Sequence, residues 1–316
     1  MGGSFACLRV WKERRLWLSP NSRRCRLKLE RQDFLTSNAA REWAGSDFLA
    51  GAGTATLKNW FRPSDVSVGP DGAIYVADWF DAKVGGHGTR DDRTTGAIYR
   101  IAPKGFKSQV PKLDLSTTAG QITALKSPAV NIRHSGFIRL KAQGEKAVPA
   151  VAELLKDSNP YIAARAIWLL AQMGESGEQK VRALFDSKDD NTRLVAYRSL
   201  HRVLKDSFPI TARFAEDPSP ALRREVAVHL RDEPAARSVP LLQKIAAKFD
   251  GKDRAYLEAV GLGSEGKESA VYAQIAKSFA KNSEEWDASA EWLTWRLHPA
   301  EATTAITTRA QSQKIT

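Results

Sequence analysis

Cysteine and methionine are scarce in this chain, with two of each in 316 residues. Two cysteines, Cys7 and Cys25, exclude a disulfide-stapled scaffold but leave the redox compartment open. No stretch approaches the roughly 18 apolar residues that a membrane-spanning helix requires. The start of the chain also lacks the apolar run of about seven or more residues that marks a secretory signal. Phosphate-binding loops are missing too. Gly261-Leu262-Gly263-Ser264-Glu265-Gly266 has the glycines but neither a preceding strand nor a suitably placed lysine, so it reads as a loop between helices. Acidic residues are the minority, 36 against 48 Lys and Arg, for a net charge of +12. Residues 1–31 alone hold nine basic and two acidic side chains, so most of the excess sits in a tenth of the chain. A basic arm with Trp11, Trp17 and Arg23-Arg24-Cys25-Arg26 has the chemistry to bind phosphate backbone or anionic lipid. The expectation preferred for residues 1–55 is a disordered or out-of-frame leader.

What the chain does contain is a repeat of about 30 residues. Apolar or small residues at i, i+4 and i+8 recur as Ile132/Gly136/Leu140, Ile162/Ala166/Leu170, Thr192/Ala196/Leu200 and Leu222/Val226/Leu230, each set along one helical face. A second helix is marked by Val151/Leu154/Leu155, Val181/Leu184/Phe185, the weaker Thr211/Phe214, and Leu241/Ile245. Polar or helix-breaking stretches such as Asp157-Ser158-Asn159-Pro160 and Asp217-Pro218-Ser219-Pro220 fall between the sets, with Asn159 and Ser219 placed to cap helices that begin on proline. The predicted unit is helix, turn, helix, turn, and a stack of such units is a HEAT-like α-solenoid over residues 131–299. Beyond residue 245 the period degrades. Tyr256/Val260 keeps the spacing, a helix is expected over Ser269–Ala280, and Trp286, Trp292, Leu293 and Trp295 are read as the apolar face of a closing helix in preference to a ligand platform. Residues 300–316 are expected to be a flexible tail.

Ahead of the solenoid the pattern changes to β. Val66-Ser67-Val68, a Pro70-Asp71-Gly72 turn, Ile74-Tyr75-Val76-Ala77-Asp78 and Ala97-Ile98-Tyr99-Arg100-Ile101 predict a small antiparallel segment within residues 56–106. Residues 107–130 are left as a linker. The fold class expected is therefore mainly α, preceded by a β segment too small to be stable alone.

The run from Phe61 to Gly105, with Pro63-Ser64-Asp65-Val66, Gly69-Pro70-Asp71-Gly72, Tyr75-Val76-Ala77-Asp78-Trp79, Gly85-Gly86-His87-Gly88 and Gly96-Ala97-Ile98-Tyr99-Arg100-Ile101-Ala102-Pro103-Lys104-Gly105, resembles the last β-propeller blade of the putative membrane-bound dehydrogenases of planctomycete and verrucomicrobial bacteria. Those proteins resemble quinone-dependent sugar dehydrogenases, and their propeller is followed by HEAT-like repeats and commonly by a cytochrome c domain. The resemblance implies a periplasmic or membrane-associated setting and, for a complete member, a quinone and calcium. Here only part of one blade is present, and neither Cys7 nor Cys25 belongs to a Cys-x-x-Cys-His haem motif. The chain reads as a fragment of such a protein, with no cofactor of its own and no signal peptide to fix its localisation. The function expected is a non-catalytic interaction or scaffold module, with a protein partner or the missing propeller as its neighbour; the alternative is part of a quinone-dependent sugar or alcohol dehydrogenase. Nucleic acid is the weaker partner.

Candidate chemistry is confined to the β segment. Asp78, Asp81, His87, Asp91 and Asp92 lie within 15 residues of loop-rich sequence, where oxygen ligands would suit calcium and the histidine a transition metal. Their spacing matches no strong ligand motif, and a solvated acidic loop is the alternative. His134, His201, His229 and His298 read as ordinary helix residues. On the repeats, Arg133, Arg193 and Arg223 recur at one position, skipping Ala163, and would display a stripe to an acidic partner; salt bridges between repeats are the competing reading.

Overall fold

The computed structural model describes residues 64–78 and 97–312 in full, together with the backbone of Pro63 and of three short strands, β1 (Arg14–Leu18), β2 (Leu27–Arg31) and β3 (Ser46–Leu49). Those strands form an antiparallel sheet in the order β1-β2-β3, inside the segment expected to be a disordered leader. The chain divides into two compact units, the described residues through Arg165 forming the first and those from Ala166 the second.

In the first unit, β4 (Pro63–Val68), β5 (Ile74–Asp78) and β6 (Ala97–Ile101) make an antiparallel meander. Alternation along β5 buries Ile74, Val76 and Asp78, the period of two expected of a strand with one covered face. The β4–β5 turn is closed by Gly69 N–H donating to Ala73 O at 2.8 Å, and Gly72 takes φ +83°, a conformation that favours glycine. Asp71 accepts from Arg100 of β6 at 2.9 Å and from Ser108 at 2.7 Å, tying the turn to the segment that leaves the sheet. The Ser108 hydroxyl above all, then the Ala73 N–H and Arg100, hold the Asp71 carboxyl down at about 2 against the opposing effect of burial.

Residues 107–130, expected to be a linker, contain a helix, α1 (Thr118–Lys126), which packs on α2 (Val130–Gln143). Thr117 caps α1 by accepting from Gly120 N–H. Gly136 of α2 sits where a Cβ would lie 2.6 Å from Gln121 O and Leu125 N, so only glycine permits this approach. The first unit continues through α3 (Val148–Ala152), which is flanked by 3₁₀ turns at Gly144–Ala147 and Glu153–Lys156.

The chain passes into the second unit within α4 (Pro160–Leu170), whose first turn Asn159 caps by accepting from Tyr161 N–H. There follow α5 (Glu175–Arg182), α6 (Asp190–Val203), α7 (Phe208–Phe214), α8 (Pro220–His229), α9 (Ala235–Ala246), α10 (Arg254–Gly263), α11 (Glu268–Ile275), α12 (Ala288–Leu297) and α13 (Thr303–Gln311). Within this unit α6 packs on α8, α8 on α10 and α10 on α12, while α9 packs on α11, an α-solenoid-like arrangement of helices stacked on their second neighbours. The second and third positions of the recurring sets are its core: Ala166, Leu170, Ala196, Leu200, Val226 and Leu230 are all fully buried.

The period does not fail beyond residue 245; it lengthens. Pro220, Arg254 and Ala288 open α8, α10 and α12 at intervals of 34, where Asp190 to Pro220 is 30. Shifted by 34, the set Leu222/Val226/Leu230 becomes Tyr256/Val260/Ser264, and Ala290 and Thr294 continue it, all buried. The cap moves with the set, since Asp253 and Asp287 accept from Tyr256 and Ala290 N–H as Asp189 accepts from Thr192 N–H. Ser219, expected to cap α8, instead donates its hydroxyl to Asp190 at 3.0 Å and leaves the helix without a side-chain cap. Residues 261–263, read as a loop, close α10, where a Cβ on Gly263 would collide with Ala227 O of α8. The expected flexible tail holds α13, fixed by Arg309 donating to Glu291 at 3.1 Å and to Glu284 O at 2.8 Å.

Candidate interaction site and the fate of the expected residues

Of the five candidate ligands, Asp78 ends β5, buried and opposite Ala97 in the sheet register, while Asp81, His87, Asp91 and Asp92 lie outside the described residues. Among the described residues no group of three His, Cys, Asp or Glu side chains is placed to hold a metal ion. None of the described helices is long and apolar enough to cross a membrane.

The arginine stripe is corrected by burial. Arg193 is 9% and Arg223 6% exposed, too little to meet a partner. Each donates Nη1 into the turn before its own helix, Arg193 to Ser187 O at 2.8 Å and Arg223 to Asp217 O at 2.7 Å and Pro218 O at 2.9 Å. Arg133, half-buried in the first unit, does the same to Pro128 O at 2.8 Å. The remaining donors reach the following helix pair: Arg193 binds both Asp217 oxygens and Arg223 donates to Tyr256 Oη at 2.9 Å. These three positions recur because the turn ahead of each of their helices leaves carbonyls that need a donor.

A histidine pair escaped the sequence reading. His201 of α6 and His229 of α8 stack face to face, with ring centroids 3.6 Å apart and planes 9° from parallel. His229 Nδ1 lies 2.9 Å from Tyr197 Oη, and its Nε2 faces Glu225 at 3.7 Å. Burial, then the neighbouring His201 and Arg198, lower the His229 pKa to about 4 against the pull of Glu225; burial lowers that of His201 as well. Two stacked rings at this separation favour the neutral forms.

The tryptophans of the closing helix part company. Trp286 is buried, donating Nε1–H to Ala280 O at 3.0 Å, and Leu293 is buried with it. Trp292 and Trp295, expected on the apolar face, point outward at 42% and 51% exposure and meet edge to face with centroids 5.7 Å apart. With Trp286, Ile306 and the Glu291–Arg309 ion pair they border a cavity of about 370 Å³ between α12 and α13. That is the size of a small binding pocket. Beside it, Glu258 of α10 is shared by Arg254 at 2.6 Å and Arg296 at 2.7 Å. Burial raises the Glu258 pKa, but the two guanidiniums outweigh it and hold the carboxylate below its ordinary range. The Arg296 guanidinium lies against Gly261, where any Cβ would displace it, and the Arg254 guanidinium carbon sits 5.6 Å over the Trp295 ring. This aromatic and cationic cluster is the candidate functional site.

Residues 23–105 match the model of a domain of unknown function, DUF7133, which reaches upstream of the β segment drawn from the sequence. No curated protein matches the chain. Among solved structures the chain is similar to an engineered protein of the Northeast Structural Genomics Consortium, at 14% identity and a TM-score of 0.30, with 61% of each chain covered. The chain thus spans about three fifths of that protein's length.

Proposed function

We propose that the helical part is a HEAT-like, non-catalytic protein-interaction or scaffold module belonging to a larger dehydrogenase-like protein, with β4–β6 contributing to a propeller blade. One observation carries this reading. The recurring charged residues of the repeats are spent on turns and on neighbouring helices, whereas two exposed tryptophans of α12 stand beside an arginine cluster of α10 and α12. A module built this way maintains a surface. The meander of β4–β6, with its Gly69-to-Gly72 turn, supports the blade resemblance.

Two measurements test the proposal. Purified full-length chain, supplied with quinone, calcium, a panel of sugars and alcohols and an artificial electron acceptor, is expected to show no reduction. Turnover that disappears in His87→Ala would replace the scaffold reading with the enzymatic one. Cross-linking of the chain in cells that express it, followed by mapping of the linked peptides, is expected to place partner contacts on α10–α13. Partner contacts confined to residues 63–105 would remove the helical module from the interaction.

A further inference from the structure

We propose that the Trp292–Trp295 cluster is a docking site for a short segment of a partner protein that carries an apolar side chain next to a carboxylate. The proposal rests on the interaction-module reading and gives it a location and a chemistry. Large exposed apolar side chains gather on one set of stacked helices in the second unit: Val228 on α8, Leu262 on α10, and Trp292 and Trp295 on α12. Val228 and Leu262 are 34 residues apart, equivalent positions of consecutive units, and the same position on α12 is Arg296, next to Trp295 in sequence. The cavity beneath the two indoles offers a place for an apolar side chain to leave water.

Charge decides the rest of the occupant. Arg254 and Arg296 share the single carboxylate of Glu258, leaving one positive charge in excess beside Trp295. Each is bound to it through Nε; the Arg296 guanidinium is packed against Gly261, so Arg254, whose side chain is 55% exposed, is the one that can meet an incoming carboxylate. Arg309, at the cavity wall, is already committed to Glu291 and the Glu284 carbonyl. A phosphate backbone would need a track of cations, and the Glu258 and Glu291 carboxylates interrupt any such track here, so a protein segment fits better than a nucleic acid.

The test uses the full chain and a fluorescent six-residue peptide with Phe-Leu at its centre and glutamates on either side. Three controls go with it: lysines in place of the glutamates, alanines in place of Phe-Leu, and a labelled oligothymidylate. Fluorescence polarisation should show saturable, salt-sensitive binding of the acidic apolar peptide alone. Trp292→Ala and Trp295→Ala should each weaken it about tenfold or more, and Arg254→Gln should weaken it while reducing its salt dependence. Both tryptophans are exposed, so thermal melting of the variants should match the parent and separate lost binding from lost folding. Equal binding of the lysine peptide, or preference for the oligonucleotide, overturns the chemistry. Binding that survives both tryptophan changes overturns the location while leaving an interaction module in place. Concentration-dependent dimers that disappear in Trp295→Ala, with no peptide bound, would assign the patch to a second copy of the chain and overturn the proposal.

Discussion

Arg193 grips both carboxylate oxygens of Asp217 from 24 residues away, Nε to Oδ2 at 2.9 Å and Nη2 to Oδ1 at 2.8 Å, with both side chains almost wholly buried. The same Asp217 accepts from Ser219 N–H at 2.8 Å, and its own carbonyl receives Arg223, so one turn is held from both sides. Breaking a buried pair strands the remaining charge. Arg193→Ala should therefore lower unfolding stability by about 3–5 kcal/mol in a urea titration, with helical circular dichroism retained at low denaturant. Arg133→Ala removes a single bond from a half-buried side chain and should cost about 1 kcal/mol or less. Equal and small losses for the two variants would return Arg193 to the surface role first expected of it.

Helix approach gives a second test. Gly136 brings α2 against the α1 backbone at a distance that excludes a methyl group, and the obstructing atoms are a carbonyl oxygen and an amide nitrogen that cannot swing aside. Gly136→Ala gains helix propensity of about 1 kcal/mol. Overpacking costs about 1–3 kcal/mol, so the net change should be destabilising, read as a lowered midpoint. A rise in stability would show that α1 does not pack on α2 as described.

The helices were legible in the sequence because their burial is periodic. Gly136, Ala166, Ala196 and Val226 hold the middle position of the recurring sets, and the structure buries every one. What the sequence concealed followed from two physical facts. The units lengthen from 30 to 34 residues after α8 by adding to their connections, so the set Tyr256/Val260/Ser264 keeps its i, i+4, i+8 form while a fixed period slides off it. Recurrence also does not distinguish a displayed residue from one that recurs because each turn needs the same donor, and Arg193 and Arg223 are of the second kind. The exposed site was missed for the converse reason. Trp292 and Trp295 look like core residues by type, and only the placement of Leu293 and Leu297 inward shows that α12 turns its other face to solvent.

The stacked histidines predict an acid-sensitive fold. His229 titrates at about 4 in the folded chain against its ordinary value of 6.5, so the unfolded chain takes up the proton first. Stability should be at its plateau above pH 6.5, fall as pH drops from 6.5 towards 4, and flatten below that. His201 shifts in the same direction and adds to the slope. Tyr197, Glu225 and Arg198 face the pair, and Glu225 moderates the effect by favouring the charged form of His229. Melting temperature measured against pH should show this decline, and His229→Phe, which keeps a ring against His201, should shrink it. An unchanged slope in the variant would place the acid sensitivity elsewhere.

The boundaries of the folded helical part supply the last prediction. The sequence alone puts the repeats at residues 131–299, but α1 fills the face of α2 around Gly136, and Arg309 anchors α13 to Glu291 and to the carbonyl of Glu284. A cut between α1 and α2 would expose Ala124 and Leu125, both fully buried. Limited proteolysis should therefore yield a helical fragment whose first residue lies ahead of Thr118 and whose last lies near Gln311. A stable product that begins at Val130 and lacks α1 would mean that α2 does not depend on its partner, and that the segment between the sheet and the repeats is the linker its composition suggested.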